Sequence, residues 1–292
     1  MKKISFIKRG KDKHWVGDGF HVRGVFNYND IAQEMSPFLL LDYAEPENFP
    51  PTERRLGVGE HPHRGFETVT IVYEGEVEHR DSTGAGGKIG PGDVQWMTAG
   101  AGLVHEEFHG REYAKRGGPF EMVQLWVNLP KKDKMTKPGY QGITADTIPT
   151  AELADGRGQV RVIAGQYNDA RGPARTFSPM DVWDVRLKKG AAFEASAKSG
   201  WTAAFLVLDG AVKVGAQVVE KSDLAVFERE GSGFMIEATE DAKILFLAGE
   251  PLNEPIVGYG PFVMNTEGEI RQALADYRSG KMGHLAQSPG DR

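Results

Sequence analysis

Hydrophobic residues along the chain fall in short runs that are separated by turn residues. The first half predicts strands at residues 37–41, 66–73, 94–97 and 120–128, and the second half at 182–187, 203–208, 224–227 and 242–248. Acidic–glycine pairs such as Glu74-Gly75 and Asp209-Gly210 mark tight turns between strands. Many short strands at this spacing are typical of an all-β sandwich or barrel.

The two halves repeat one pattern. In each half an apolar strand ends in an acidic residue and a glycine, and later a second acidic residue precedes another apolar strand. The interval from Gly75 to Asp93 is 18 positions, whereas the interval from Gly210 to Asp223 is 13. We interpret the pattern as a weak internal duplication of one barrel, in which one loop is shorter.

The tail has a different, helical pattern. Thr266 is followed three residues later by Glu269, which is a capping-box signature, and Gly280 suits a helix end. Apolar residues at positions i, i+4 and i+7 follow the cap, namely Ile270, Leu274 and Tyr277. We therefore predict an amphipathic helix over residues 265–280 that packs on a barrel, and frayed residues at 287–292.

Composition and charge exclude several classes of function. The 292 residues carry 35 basic and 41 acidic side chains, and this net charge of −6 disfavours direct binding of nucleic acid. The chain has no cysteine, which excludes disulfides and thiolate sites, so a metal would need His, Asp or Glu ligands. Neither a signal peptide nor an apolar run long enough for a membrane span is present, so we predict a cytoplasmic protein.

Two short motifs suggest a metal site. His61 and His63 are two residues apart, so in a strand their side chains point to the same side, and His105 and Glu107 repeat this spacing. Two antiparallel strands inside a barrel would bring the pairs together as three nitrogens and one oxygen. Such a set suits divalent iron, manganese, zinc, nickel or copper with positions left open. Glu67 keeps the same parity if the strand runs on from His63.

The other five histidines carry no such pattern. We predict that His79, which stands beside Glu78 and Asp81, lies on an exposed polar stretch. His109 suits either a supporting position behind the ligands or the rim of the barrel. Three further histidines show no constellation, namely His14, His21 and His284.

Several long segments resemble the pirin family. They are residues 61–69 (HPHRGFETV), 91–100 (PGDVQWMTAG), 102–107 (GLVHEE), 37–42 (PFLLLD) and 249–256 (GEPLNEPI). The resemblance covers nearly the whole chain, and the two central motifs are long and specific.

This resemblance implies an all-β bicupin fold. Such a chain has two double-stranded β-helix (jelly-roll) barrels that face each other, with a C-terminal helix that packs back. We expect an N-terminal metal-binding cupin, a linker with connecting strands, a degenerate C-terminal cupin and a tail with the helix, at residues 1–130, 131–180, 181–250 and 251–292.

The resemblance also implies the ligands. In the family the metal is held by the two histidines of a His-x-His motif, a third histidine and a glutamate two residues after it. These are His61, His63, His105 and Glu107 here. The general cupin pattern would offer Glu67 instead of Glu107. We follow the closer family and assign Glu67 to the pocket or to the orientation of a ligand imidazole.

The repeat predicts that the second barrel lacks a metal. Counting from the equivalent glycines and aspartates places Ser196, Lys198 and Met235 where the first barrel has its three histidines. No histidine lies between His109 and His284, so this prediction does not depend on the alignment.

The implied activity is that of a quercetin 2,3-dioxygenase, which cleaves quercetin or a related flavonol with O2. We expect a monomer with one divalent metal ion, Fe(2+) in first place, and manganese, nickel, copper or zinc as alternatives. Glu107 or Glu67 would act as the general base. The alternative is a metal-bearing, redox-responsive regulator that binds a transcription factor or a metabolic enzyme. A purely structural metal is a weaker reading, because a His3Glu set leaves coordination positions open.

Overall fold

The computed structural model describes residues 1–10 and 12–286. The fraying expected at residues 287–292 therefore lies outside the described residues. Within the described part of the chain, no helix is both long enough and apolar enough to cross a membrane.

Strands make up most of the regular structure. The strands before residue 130 are β1 (Ile4–Lys8), β2 (Lys13–Val16), β3 (Phe20–Phe26), β4 (Phe38–Phe49), β5 (Gly57–His63), β6 (Phe66–Glu74), β7 (Val77–Asp81), β8 (Gly86–Ile89), β9 (Val94–Thr98), β10 (Leu103–His109) and β11 (Gly118–Asn128). The later strands are β12 (Gly139–Ile143), β13 (Thr150–Glu152), β14 (Gly158–Ala164), β15 (Gln166–Tyr167), β16 (Ala170–Arg171), β17 (Met180–Leu187), β18 (Ala192–Ser196), β19 (Thr202–Asp209), β20 (Ala211–Val214), β21 (Gln217–Glu220), β22 (Leu224–Phe227), β23 (Gly233–Ala238), β24 (Ala242–Gly249), β25 (Val257–Tyr259) and β26 (Phe262–Met264). The α-helices are α1 (Ala32–Met35), α2 (Arg111–Arg116) and α3 (Glu267–Arg278), and 3-10 turns lie at Lys131–Asp133 and Ala145–Thr147.

The chain divides into two compact units whose boundaries differ from the expected ones. The first unit holds Lys13–Asp30, Phe38–Ala145 and the chain from Glu254 onwards. The second unit holds Met1–Asp12, Ile31–Pro37 and Asp146–Asn253. The N-terminal segment belongs to the second unit because β1 pairs with β22. The expected linker is likewise divided, since β12 pairs with β9 in the first unit and β14 pairs with β17 in the second.

Both units have the same sheet topology. The large sheet of the first unit runs β12-β9-β6-β11-β4-β3-β2, and that of the second runs β1-β22-β19-β24-β17-β14-β13. The small sheets run β5-β10-β7-β8 and β18-β23-β20-β21. Strands in equivalent places have equivalent positions in the chain order, apart from the two edge strands β1 and β12. The structure thus confirms the duplication that the turn pattern predicted, and the fold is an all-β bicupin.

The interior of the first unit is apolar at one end. Side chains alternate between the two faces of each strand, and one set from both sheets packs into a common cluster. This apolar floor is formed by Phe20, Val22, Ala44, Val72, Val77, Ile89, Tyr113, Phe120 and Met122. The candidate metal site lies in the same barrel, towards the start of β10, whereas the end of β10 lies beside this apolar floor.

The interior of the second unit is filled by aromatic side chains. Trp183 stacks on Phe246 with ring centroids 4.7 Å apart, and Phe246 stacks on Phe234 at 5.0 Å. In β18 and the residues after it, Phe193 and Ala197 are buried in this core, whereas the intervening Ser196 and the following Lys198 are exposed. The positions that the repeat pairs with His61 and His63 therefore point away from the core.

The tail helix begins at the predicted cap. The residues that it buries differ in part from the predicted set. The Thr266 hydroxyl accepts a hydrogen bond from the Glu269 backbone N–H, which confirms the N-cap. Ile270 and Ala273 are buried, whereas Tyr277 is 38% exposed and lies at the edge of the contact. The helix packs against β25 and β26 within the first unit.

A buried ion pair ties this helix to the segment that follows His63. Arg64 Nη1 donates to Asp276 Oδ2 at 2.9 Å, and Arg64 Nε donates to the Ala101 carbonyl at 2.7 Å. The side chains of the pair are 5% and 11% exposed, so little water screens them. Asp276 also accepts from Gln272 and Lys281. The tail helix therefore stabilises the segment at Arg64, directly after His63.

We expect Asp276→Asn to lower the free energy of unfolding by about 2 kcal/mol, because it weakens a charge-assisted bond and leaves Arg64 buried without its counter-ion. Urea denaturation at pH 7 measures the change. Glu267→Gln is the matched control on the same helix, since Glu267 pairs with Arg271 on the exposed surface and should matter by less than about 0.5 kcal/mol. Equal effects of the two variants would contradict this stabilising role.

The same ion pair predicts a dependence on pH. Contacts with Lys281, Gln272 and Arg64 hold the pKa of Asp276 well below its usual range. A lowered carboxyl pKa contributes stability above the unfolded value of about 4, and this contribution is lost as the pH falls towards the folded value. The difference between wild type and Asp276→Asn should therefore shrink in acid.

Candidate metal centre

Three histidines from two paired strands converge in the first unit. His61 and His63 lie at the end of β5, and His105 lies in β10 directly opposite His61 in the ladder. The ring centroids are 4.9 Å apart for His61 and His63, 4.3 Å for His61 and His105, and 4.8 Å for His63 and His105. One ring nitrogen from each residue lies within 4.8 Å of the other two. The sequence motif thus brings its three imidazoles together.

The nitrogens of these rings are available to bind a metal. His105 is fully buried, and neither of its ring nitrogens has a hydrogen-bond partner among the described residues. His61 Nδ1 lies 2.8 Å from the Gly59 carbonyl, which favours a proton on Nδ1 and a lone pair on Nε2. Burial lowers the pKa of His63 and His105 well below the ordinary value, so both are neutral at pH 7. Buried neutral imidazoles with unpaired ring nitrogens fit a divalent metal.

Glu107 lies near the three rings, two residues after His105 in β10. Its side chain is buried and faces the same side of β10 as His105, with a shift in ladder register between the two residues. Burial raises its pKa to about 7, and a hydrogen bond with Thr70 opposes the rise. Oε1 has no partner within the described chain. Glu107 does not belong to the group whose ligand atoms all lie within 4.8 Å of one another.

Glu67 occupies the other face of the sheet. Its neighbour Phe66 points to the histidines, with a ring centroid 5.2 Å from that of His63, so Glu67 points the opposite way. Glu67 Oε1 accepts a hydrogen bond from the Thr98 hydroxyl at 2.7 Å, and burial raises the pKa of Glu67 to about 7. The parity argument assumed one continuous strand. The chain instead turns at Gly65, whose φ of 89° separates β5 from β6.

Aromatic and apolar side chains flank the histidines. Phe66 stacks on Trp126 with centroids 4.3 Å apart, and Trp126 lies 5.3 Å from the His63 ring. Met97 and Leu103 form a second apolar group. A planar aromatic molecule would find suitable walls here.

Two other histidines are placed differently from expectation. His79 was expected to be exposed, and this is wrong, since its side chain is 5% exposed and faces the barrel interior. Its acidic neighbours misled the prediction, whereas alternation in β7, where Val77, His79 and Asp81 are buried, gives the correct side. His109 lies in the apolar floor, stacked on Phe120 at 4.6 Å, and not at a rim.

The remaining histidines do not join the site. His14 is exposed, and His21 Nδ1 contacts Glu47 at 2.9 Å. His284 is exposed and lies 3.9 Å from a Glu60 carboxylate oxygen.

Comparisons with known proteins agree on one family. The family model described as Pirin matches residues 19–127, and the model described as Pirin C-terminal cupin domain matches residues 182–283. A Pseudomonas aeruginosa protein named "Putative quercetin 2,3-dioxygenase" is 54% identical over 96% of this chain and 98% of its own. Human pirin is 38% identical over 91% of this chain and 89% of its own.

A solved structure gives the same result. The crystal structure of a quercetin 2,3-dioxygenase from Acinetobacter baumannii superposes with a TM-score of 0.96 at 55% identity, and the match covers 98% of this chain and 100% of that one. The family models together span most of the chain, and both halves carry the matching barrel topology. This chain therefore belongs to the pirin family.

Proposed function

We propose that this protein is a metal-dependent dioxygenase that cleaves quercetin or a related flavonol with O2. The observation that carries the proposal is the convergence of three imidazoles, two of them buried, beside an aromatic wall. The names of the similar proteins from Pseudomonas aeruginosa and Acinetobacter baumannii point to the same reaction class.

The proposed ligands are His61, His63 and His105, with Glu107 as the fourth. This set would hold one divalent metal ion, Fe(2+) in first place, with manganese, nickel, copper or zinc as alternatives. When bound, the metal would supply Lewis acidity towards the flavonol 3-hydroxyl and a site for O2. The ligands come from a rigid two-strand ladder, so their relative positions are fixed before the substrate arrives.

The chain's own residues would bind the substrate and move one proton. Phe66 and Trp126 stack against the flat ring system. Glu107 Oε1, which has no partner within the described residues, accepts the proton of the 3-hydroxyl. The flavonolate then takes up O2, and ring opening releases carbon monoxide and leaves a carboxylic ester. The apolar floor below keeps bulk water away from these groups.

Oxygen uptake tests the proposal. We expect protein that has been stripped and reloaded anaerobically with each candidate metal to consume O2 with quercetin for at least one redox metal. His61→Ala, treated in the same way, should show no uptake above background. One bound metal per chain without uptake for any metal would contradict the dioxygenase. That result would favour the regulatory alternative, which a partner pull-down would then examine.

A further inference from the structure

A layer of polar side chains crosses the barrel of the first unit between the histidines and the apolar floor. Glu107 stands opposite His79 in the β10–β7 ladder, and Thr70 stands opposite Gln95 and Gln124 in the large sheet. The Thr70 hydroxyl donates to Gln124 Oε1 at 2.6 Å and also contacts Glu107. These contacts place Glu107, Thr70 and Gln124 at one level of the interior.

Two members of this layer have no hydrogen-bond partner in the described structure. They are His79, with both ring nitrogens unpaired, and Gln95, with both amide atoms unpaired. Their side chains are 5% and 0% exposed. Buried polar groups are almost always paired, so unpaired ones call for a partner from outside the chain. The layer thus offers donors and acceptors for something that enters the barrel.

The His79 ring is fixed by stacking, and Gln95 faces the barrel interior. The His79 ring stacks on Tyr140 with centroids 4.6 Å apart and an angle of 28° between the planes. Gln95 lies between Val94 and Trp96 in β9, and Trp96 is level with Val69 on the outer face of the sheet, so Gln95 points inwards. The stacked His79 ring is held in place before a ligand arrives, which lowers the entropic cost of binding.

The layer lies deeper in the barrel than the three clustered histidines, and it includes Glu107, the proposed fourth ligand. His105 and Glu107 are two residues apart in β10, which corresponds to about 7 Å along the strand. A bicyclic aromatic molecule held by one oxygen at the histidines would reach this level with its far ring. The floor below is lined mostly by apolar side chains, whereas this layer carries unpaired polar atoms that could pair with a polar substituent.

We propose that His79 and Gln95 form a hydrogen-bonding subsite that selects aromatic substrates with a hydroxyl group on the ring remote from the metal-binding oxygen. The inference rests on the proposed function and adds to it the substrate feature that is recognised. A site built to pair a hydroxyl discriminates strongly against analogues that lack it, because its polar groups then stay buried without partners. The two residues act on specificity, and neither is needed to hold the metal.

The test compares two flavonols with protein loaded with one metal per chain. Quercetin carries hydroxyls on both ring systems, whereas 3-hydroxyflavone has only the 3-hydroxyl. We expect His79→Phe and Gln95→Leu to weaken quercetin binding by about tenfold or more, and 3-hydroxyflavone binding by less than about threefold. Quenching of tryptophan fluorescence measures the dissociation constants, and metal content should not change. His14→Phe is the matched control, since His14 is exposed.

Two further measurements distinguish loss of the subsite from misfolding of a variant. His79→Gln retains a donor and an acceptor, so it should restore part of the lost preference for quercetin. Removing unpaired buried polar groups should also raise the Tm of His79→Phe and Gln95→Leu by about 2–4 °C. Equal weakening of both flavonols, or a fall in Tm with unchanged binding, would overturn the subsite.

A third probe separates this inference from the proposed function. Resorcinol has hydroxyls that are too far apart to chelate a metal, and isothermal titration calorimetry of wild type beside His79→Phe shows how much of its binding depends on the polar layer. Resorcinol binding that is lost in His79→Phe, without binding of either flavonol to wild type, would contradict the flavonol substrate and support the subsite. Failure of wild type to bind any of the three probes would overturn both.

Discussion

Replacing His105 with alanine is expected to reduce bound metal from about one ion per chain to less than about a tenth. His105 is the only one of the three clustered imidazoles that β10 supplies, and it stands opposite His61 in the ladder. Without it, the remaining pair comes from a single strand and offers two nitrogens on one side of the ion. Loading with one equivalent of metal, desalting and elemental analysis give the stoichiometry.

The barrel should remain folded in this variant. His105 makes no hydrogen bond with the described residues, so its removal leaves no orphaned partner, and it removes two unpaired buried nitrogens. Far-UV circular dichroism and Tm check the fold, and His14→Ala controls for loss of an exposed histidine. Full retention of metal in His105→Ala would refute the ligand assignment. Anomalous scattering from metal-loaded crystals should show one peak, near His63, and none in the second unit.

The parts of the fold that follow local rules could be predicted from the sequence. His61 and His63 share a side because side chains in a strand alternate with period two, and this spacing needs no tertiary information. The Thr266 cap satisfies backbone groups within one turn of the helix, so its signal is equally local. The repeat was visible because each barrel needs the same tight turns, at Gly75 and Gly210, between equivalent strands.

The parts that depend on distant contacts could not be predicted in this way. β1 pairs with β22, more than two hundred residues later, and no local pattern indicates that an N-terminal strand completes the second barrel. Glu67 is four residues after His63, so in one continuous strand the two side chains would lie on the same face. The positive φ of Gly65 interrupts the strand, and Glu67 therefore lies on the opposite face. His79 is buried because it faces the barrel interior and stacks on Tyr140, although the residues beside it in the chain are charged.

The two buried glutamates offer a sharp comparison of roles. Glu107→Gln should lower the rate of quercetin turnover per bound metal by about a hundredfold or more, because an amide cannot accept the 3-hydroxyl proton. Glu67→Gln should lower it by less than about threefold, since Glu67 lies on the opposite face of β6 and its Oε1 bond from Thr98 survives in the amide. Both substitutions keep the side-chain volume, so packing changes little.

Rates must be divided by metal content, because Glu107 is also the proposed fourth ligand. A drop in metal with unchanged turnover per ion would make Glu107 a ligand without a base role. A large loss in Glu67→Gln with full metal would move the base to the opposite face and contradict the placement of the substrate beside Phe66 and Trp126. The expected outcome, in which only Glu107→Gln loses turnover per ion, ties the proton transfer to the carboxylate that faces the same side of β10 as His105.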